Sequence, residues 1–370
     1  MPFPDDLASL YRLLERARSA GDPDRETALG VARSGTGLGL EEAAILLAAG
    51  PDWSKEIFEV ASSVNERIKG KCIEFYGVVY IHDYCVNSCR YCGDSREARA
   101  RRRLLSLEEF REDVQALLAR WPLRQVCFLT GEDPVRFPFT ELVAYLQDLA
   151  GYYDHEIILN IPPLSTERFR TLRSELPAKN PLQFRVFQET YDREVYAREH
   201  TGGPKKDFDW RVASQARALE AGIDRVGLGV LYGLNEKPDG VAFETLAMLA
   251  HAQALHQRFG RWPKTMSFPT AQDSPDVSYR PTLRIAEDQL QRALSVTKLT
   301  APEIDTVLTC RESAAVRRRL RPVVNIEDFA ARPGPGGNSD PAVRQQMSLG
   351  DMRPGDEICQ EMKADGYEVR

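Results

Sequence analysis

Hydrophobic and polar positions change their rhythm about seventy residues into the chain. Before that point the spacing is helical. "DDLASLYRLLERARSAG" sets Leu7, Leu10, Leu13 and Leu14 on one face and stops at Gly21. "LGLEEAAILLAAG" closes at Gly50, and "DWSKEIFEVASSVNERIKG" closes at Gly70. These helices read as a cap leading into a larger domain. After Gly70, short β-branched or apolar runs alternate with longer amphipathic stretches. The runs are Ile73–Ile81, Gln125–Thr130, Glu156–Ile161, Gln183–Gln188, Arg225–Gly233, Thr265–Pro269, Asp305–Cys310 and Pro322–Ile326. Between them lie segments such as "SLEEFREDVQALLARW", "FTELVAYLQDLAGYY" and "DWRVASQARALEAG". Strand–helix alternation of this kind predicts right-handed βαβ units and a parallel sheet. Eight units predict an α/β fold, a closed (β/α)₈ TIM-type barrel with its active site at the C-terminal strand ends. The expected division is a helical extension over 1–70, a barrel over 71–330, and a C-terminal loop and helix over 331–370. The loop is the Pro/Gly-rich "ARPGPGGNSDP", and the helix runs over about Asp356–Gly366.

Polar residues recur just past these strands. Thr130, Gly131, Glu132 and Asp133 follow the second; Gln188, Glu189 and Thr190 follow the fourth; Arg311 and Glu312 follow the seventh. In a barrel they would converge on one mouth.

Composition narrows the function classes. The chain has 370 residues and a net charge of −6. A mildly acidic protein has no general attraction to nucleic acid or to anionic membrane. The one basic run, "REARARRR" at Arg96–Arg103, reads as a solvated face. There is no apolar window long enough for a membrane span and no secretory-type apolar core at the N-terminus. Seven unevenly spread cysteines do not form a secreted disulfide framework. A reducing cytoplasm is the expected compartment.

Three of the seven thiols crowd into "YCVNSCRYCGDSR", directly after the first strand: Cys85, Cys89 and Cys92. Cys72 and Cys127 sit within apolar runs and read as buried small hydrophobes. Cys359 lies on the last helix and is expected to pack there. A structural zinc site would want a fourth ligand, usually in a second C-x₂-C pair, and the sequence has none. The alternative is an iron–sulfur cluster held by three thiolates with one iron left open.

The spacing C-x₃-C-x₂-C, its place after the first strand and the aromatic Tyr91 before the last cysteine resemble the radical S-adenosylmethionine superfamily. The resemblance extends through "FLTGED" (Phe128–Asp133), "VFQETYDREVYAREHTGGPKKDFDWRVASQARALEAGIDRVGLGVLYGL" (Val186–Leu234), "SFP" (Ser267–Pro269), "APEI" (Ala301–Ile304), "RES" (Arg311–Ser313) and "MSLGDMRPGDEICQEMKADGY". Over this span, about Glu74 to Tyr367, the chain is similar to the aromatic amino acid lyase branch, which includes 2-iminoacetate synthase, the tyrosine lyase of FeFe-hydrogenase maturation and tryptophan lyase. The resemblance implies a 4Fe–4S cluster on Cys85, Cys89 and Cys92. The open iron would chelate S-adenosylmethionine, whose one-electron cleavage yields a 5′-deoxyadenosyl radical that takes hydrogen from a small-molecule substrate. It further implies Tyr91 beside the adenine, the Thr130–Gly131–Glu132 turn at the methionyl amine, Glu189 on the cofactor, and Arg311 as a fork for a substrate carboxylate near Ser267. An electron donor of flavodoxin or ferredoxin type would be the partner. The implied chemistry is amino acid C–C scission; a maturase for another metal cofactor and a non-catalytic iron–sulfur or zinc protein are the alternatives.

Two departures bear on the substrate. Relatives of this branch continue the sixth strand as "SFPRLRP", whereas this chain reads "SFPTAQDS", without the two arginines. The "STRE" element reads "TCRE", which puts Cys310 beside Arg311. Cys310 is a replacement for serine, a radical relay or an extra iron ligand.

Overall fold

A computed structural model describes residues 6–274, 276–277, 281 and 284–370; Met1–Asp5, the start of the N-terminal stretch read above, lie outside the described residues. Eight parallel strands close on themselves: β1 (Cys72–His82), β2 (Gln125–Thr130), β3 (Glu156–Asn160), β4 (Leu182–Arg185), β5 (Arg225–Gly229), β6 (Thr265–Ser267), β7 (Asp305–Leu308) and β8 (Ile326–Asp328). Each pairs with the next, and β1 pairs with both β2 and β8, which closes the barrel. The expected topology is therefore present. The fourth to seventh strands end earlier than their apolar runs, because the chain leaves the ladder at the mouth to build the site. The eighth starts later than read, since Pro322 and Val323 sit in a 3-10 turn. A short β9 (Glu368–Val369) adds to β1 at its N-terminal end.

Four helices precede the barrel: α1 (Ala8–Ala17), α2 (Asp22–Ser34), α3 (Leu40–Leu47) and α4 (Ser54–Lys69). The sequence reading passed over α2. Its start carries Pro23, and it has no strong apolar stripe beyond Ala28, Leu29 and Ala32. Helices α1, α3 and α4 pack on the barrel helices Gly240–Phe259 and Glu287–Thr300, and α2 packs on α3 and α4. Among the described residues, no helix is long and apolar enough to cross a membrane.

Side chains alternate across each strand. Outward-facing Phe75, Val79, Phe128, Leu159 and Phe184 join the main core under the helices. A separate inner cluster holds Tyr76, Val78, Tyr80, Cys127, Ile158, Val307 and Ile326. Cys127 is thus buried, as expected, but in the barrel interior; Cys72, at the start of β1, is only half-buried, contrary to the reading, and Cys359 packs in helix Gly355–Ala364. The basic run also differs in part from its reading. Arg102 donates to the Asp83 carbonyl (2.8 Å) and Arg103 to Glu109 (2.8 Å), while Arg96, Arg99 and Arg101 stay exposed.

Beneath the C-terminal helix, Arg317 is fully buried and ion-paired with Glu327 (2.7 Å), Asp351 (3.1 Å) and Asp328 (3.5 Å). These contacts tie β8 to the segment that follows it.

Candidate active site

The cysteine loop is an extended excursion held by neighbours rather than by regular structure. The loop after the helix Arg193–Glu199 docks on it: the Ser88 amide donates to the Gly202 carbonyl (3.0 Å), Thr201 donates back to Ser88 (3.0 Å), and Arg90 donates to Glu199 (3.1 Å). Gly203 has a left-handed φ of 79°, and a Cβ there would lie 2.4 Å from Asn87 Oδ1. Only glycine fits both the conformation and the space.

Cys85, Cys89 and Cys92 line one cavity of about 190 Å³ at the C-terminal end of the barrel, together with Tyr91, Thr130, Gly131, Glu132, Glu189 and Arg311. The strand-end residues of β2, β4 and β7 named above thus do converge. Asp133, Gln188, Thr190 and Glu312 do not line it. Thr190 instead donates to Glu244 (2.5 Å), and Glu312 accepts from Thr270.

Each of the named residues is fixed by a local cause. Gly131 lies against the backbone of Tyr84; a Cβ would come within 2.1 Å of its carbonyl oxygen. Glu132 does not cap a helix. No helix starts here; Asp133 instead holds the turn that follows, accepting from the Val135 and Arg136 amides (3.2 and 3.1 Å). Glu132 accepts from Asn87 Nδ2 (2.6 Å), and its carbonyl accepts from Val86 (2.8 Å), so turn and cysteine loop are joined at two points. Tyr91 meets His200 Nε2 (2.9 Å). The His200 Nδ1 faces the Tyr196 carbonyl (2.8 Å), which can only accept, so the proton sits on Nδ1 and Nε2 accepts from the tyrosine. Burial holds His200 neutral, with its pKa lowered to about 3.

Glu189 is a non-glycine residue at φ 72°, a conformation that costs free energy and concentrates at functional sites. Its turn is held by Glu244, which accepts from the Tyr191 amide (2.7 Å). The Glu189 carboxylate pairs with Lys205 (2.6 Å) and lies 3.5 Å from Arg211. Burial would raise its pKa, but the two cations override that and bring it down to about 2. The carboxylate is therefore charged and already compensated.

Lys205 and Arg211 also line the cavity, and the sequence reading passed over them. The signal was there in "GGPKKDFDWR", three cations, Lys205, Lys206 and Arg211, following a glycine pair. Gln346 was passed over as well. It donates to Cys92 Sγ (3.5 Å), and its own carbonyl oxygen accepts from Tyr80 (3.3 Å). Arg344 pairs with Asp94 (3.0 Å), Asp83 (3.1 Å) and Asp276 (2.7 Å). The Pro/Gly-rich segment before these residues gave no hint that the chain returns across the mouth.

The donor set fits an iron–sulfur cluster. Soft thiolates suit iron–sulfur centres. The sulfurs receive N–H donors, as cluster ligands do: Asp94 N to Cys92 Sγ (3.4 Å), Asn87 Nδ2 to Cys85 Sγ (3.5 Å), and Gln346. Burial pushes the Cys89 thiol up to about 12, and Lys205 opposes the rise. Nearby cations favour the anionic form that binds metal.

A second cavity, about 90 Å³, lies deeper in the barrel and shares Tyr80, Leu129, Asn160, Phe187, Arg311 and Met347 with the first. Cys310 lines this one and not the first. Its amide donates to Asp328 (2.8 Å), and burial followed by the Asp328 charge pushes its thiol well up. Arg311 borders both cavities and donates to the Thr270 carbonyl (3.3 Å). Ser267 is buried on β6 and its hydroxyl has no hydrogen-bond partner.

Residues 79–244 match the radical SAM superfamily. The chain is 27% identical over 328 residues to 2-iminoacetate synthase of Salmonella typhimurium, covering 88% of this chain and 84% of that protein. A crystal structure of HydG, a maturase of the [FeFe]-hydrogenase, superposes with a TM-score of 0.90 at 29% identity, covering 98% of this chain and 79% of that one. HydG from Carboxydothermus hydrogenoformans gives 0.87 at 28%, covering 98% and 83%. With the closed barrel and the cysteine loop at its mouth, the match over residues 79–244 makes this part of the chain a radical SAM domain.

Proposed function

We propose that this enzyme takes hydrogen from an amino acid held in the deeper cavity and breaks a carbon–carbon bond of it. The observation that carries the reading is the pair of joined cavities. The outer is lined by three thiols, the 130–132 turn and Glu189; the inner is walled by the barrel, and Arg311 stands between them. Cys85, Cys89 and Cys92 would hold the 4Fe–4S cluster. When bound, cluster and S-adenosylmethionine supply a 5′-deoxyadenosyl radical by one-electron cleavage of the sulfonium.

The chain's own residues bind, orient and shield. Thr130, Gly131 and Glu132 would meet the cofactor's amine, with Asn87 fixing the Glu132 carboxylate. Glu189 would accept from cofactor hydroxyls or ammonium, and Lys205 and Arg211 keep it charged while it does so. Tyr91, aimed by His200, would lie by the adenine. Arg311 would take the substrate carboxylate as a bidentate fork, with Ser267 as a hydroxyl partner. The inner cluster of aromatic and aliphatic side chains keeps water from the reacting carbon. Cys310 faces the substrate side, which favours a neutral S–H donor over a further iron ligand. The division into extension (1–70), barrel (71–330) and C-terminal cap (331–370) goes with this reading, as do a flavodoxin- or ferredoxin-type donor and a cytoplasmic setting.

A second reading is maturation of a metal cofactor from a substrate other than tyrosine. Thr270 and Gln272, where relatives carry arginines, favour it: Gln272 lines the outer cavity and donates to Thr270 (2.9 Å). The test is reconstitution under anaerobic conditions followed by reaction with tyrosine, tryptophan or no amino acid. Formation of p-cresol or 3-methyl-2-indolic acid supports a lyase. 5′-Deoxyadenosine without fragmentation of either aromatic amino acid excludes an aromatic lyase and leaves the second reading beside a lyase for another amino acid.

A further inference from the structure

One buried cation in the barrel has no ionic partner. Arg185, the last residue of β4, is 2% exposed and lines the inner cavity. Neither Nη1 nor Nη2 makes a hydrogen bond, and among the described residues no carboxylate lies within ion-pair distance of it. Its guanidinium stacks 4.4 Å from the centroid of the Tyr76 ring. Stacking satisfies the face of a guanidinium and leaves its N–H edge without an anionic or oxygen acceptor. An uncompensated buried charge is costly, and such orphaned groups call for an explanation.

The barrel makes room for this side chain. On neighbouring β5 the inward position is Gly227, where a Cβ would lie 2.9 Å from Arg185 Cγ. Two residues further along β5, Gly229 leaves similar space for Phe187. The carboxylate that does line the same cavity, Asp328, is committed elsewhere, to the Cys310 amide (2.8 Å) and to Arg317 (3.5 Å). Cys127, also on the cavity, is the one side chain among the described residues that meets the Arg185 edge, but burial keeps its thiol neutral, so it offers the guanidinium only a weak acceptor.

We propose that Arg185 is the receptor for a second anionic group of the substrate, so that the substrate is a dicarboxylic amino acid. One carboxylate would sit at Arg311 and the other on the open edge of Arg185, deeper in the barrel. An aromatic amino acid would leave that edge unanswered. The assignment rests on the inner cavity being the substrate site.

Calorimetry on the anaerobically reconstituted protein tests it, with L-glutamate, L-aspartate and L-2-aminoadipate against L-glutamine, L-asparagine and L-tyrosine. At least one dicarboxylate is expected to bind about ten- to a hundredfold more tightly than its amide or tyrosine, the range for a hydrogen-bonded charge. R185Q should abolish that preference and leave S-adenosylmethionine affinity unchanged. R185K, which keeps the charge and loses the fork, should fall between. Equal binding of acids and amides, no binding by any of the acids, or an unchanged preference in both variants overturns the proposal. 5′-Deoxyadenosine formation is measured alongside: if it persists while the preference is absent, Arg185 was misassigned and the radical reading stands. If it is absent with a full cluster, the radical reading itself has failed.

Discussion

Replacing Glu189 by glutamine should be felt in stability and in cofactor binding at once. The substitution leaves Lys205 and Arg211 buried around a neutral amide, where before they faced a carboxylate at 2.6 and 3.5 Å. At about 1.4 kcal/mol for each tenfold change in proton affinity, moving a carboxyl from 4.5 to about 2 corresponds to ~3 kcal/mol. Breaking a buried pair costs a similar 3–5 kcal/mol or so. With unfolding entropy of ~2.1 cal/mol/K per residue over 370 residues, the midpoint should fall by about 4 °C. Differential scanning fluorimetry of the ligand-free protein reads this directly. The sign of the pH dependence follows from the depressed pKa. The contribution of Glu189 is fully present above the ordinary 4.5 and is lost as pH falls from there toward 2. The melting difference between parent and E189Q should therefore narrow as pH drops below 4.5. A variant that melts with the parent at pH 7, or a difference that widens in acid, would refute the electrostatic account.

The remaining predictions concern other supports of the site. Arg317→Met should cost about 3–5 kcal/mol, because Glu327, Asp328 and Asp351 are left buried without their cation; urea unfolding measures it. Gly131→Ala forces a Cβ toward the Tyr84 carbonyl and should weaken S-adenosylmethionine binding with little loss of iron, which equilibrium dialysis and iron analysis separate. Gln346→Leu removes an N–H donor from Cys92 Sγ and should lower the cluster's reduction potential, since such bonds stabilise the reduced, more negative state; redox titration followed by electron paramagnetic resonance shows it.

Much of the barrel could be read from the chain because each strand is a short apolar run fenced by amphipathic helices. The Gln125–Thr130 run is the observed β2, end to end. The short strands β4 to β7 were over-read because their mouth ends stay apolar while leaving the ladder: Val186, Phe187 and Val230 line or pack beside the site. Helix α2 was missed for want of a clear apolar stripe. The thiols stood out by spacing, and Glu132, Glu189 and Arg311 by their places after strands. Lys205, Arg211, Gln346 and Arg185 did not. Their importance comes from tertiary partners: Glu189 for the first two, Cys92 for the third, and the lack of a partner for the last. One-dimensional pattern carries no such information.

The central claim is that three thiols at the barrel mouth hold a cluster that cleaves S-adenosylmethionine. The most direct measurement is 5′-deoxyadenosine formed by the anaerobically reconstituted, reduced protein, beside C85A, C89A and C92A. The account predicts product from the parent and none from the three variants, each of which should also lose most of its iron. Product from a cysteine variant, or none from a parent with a full cluster, would contradict it.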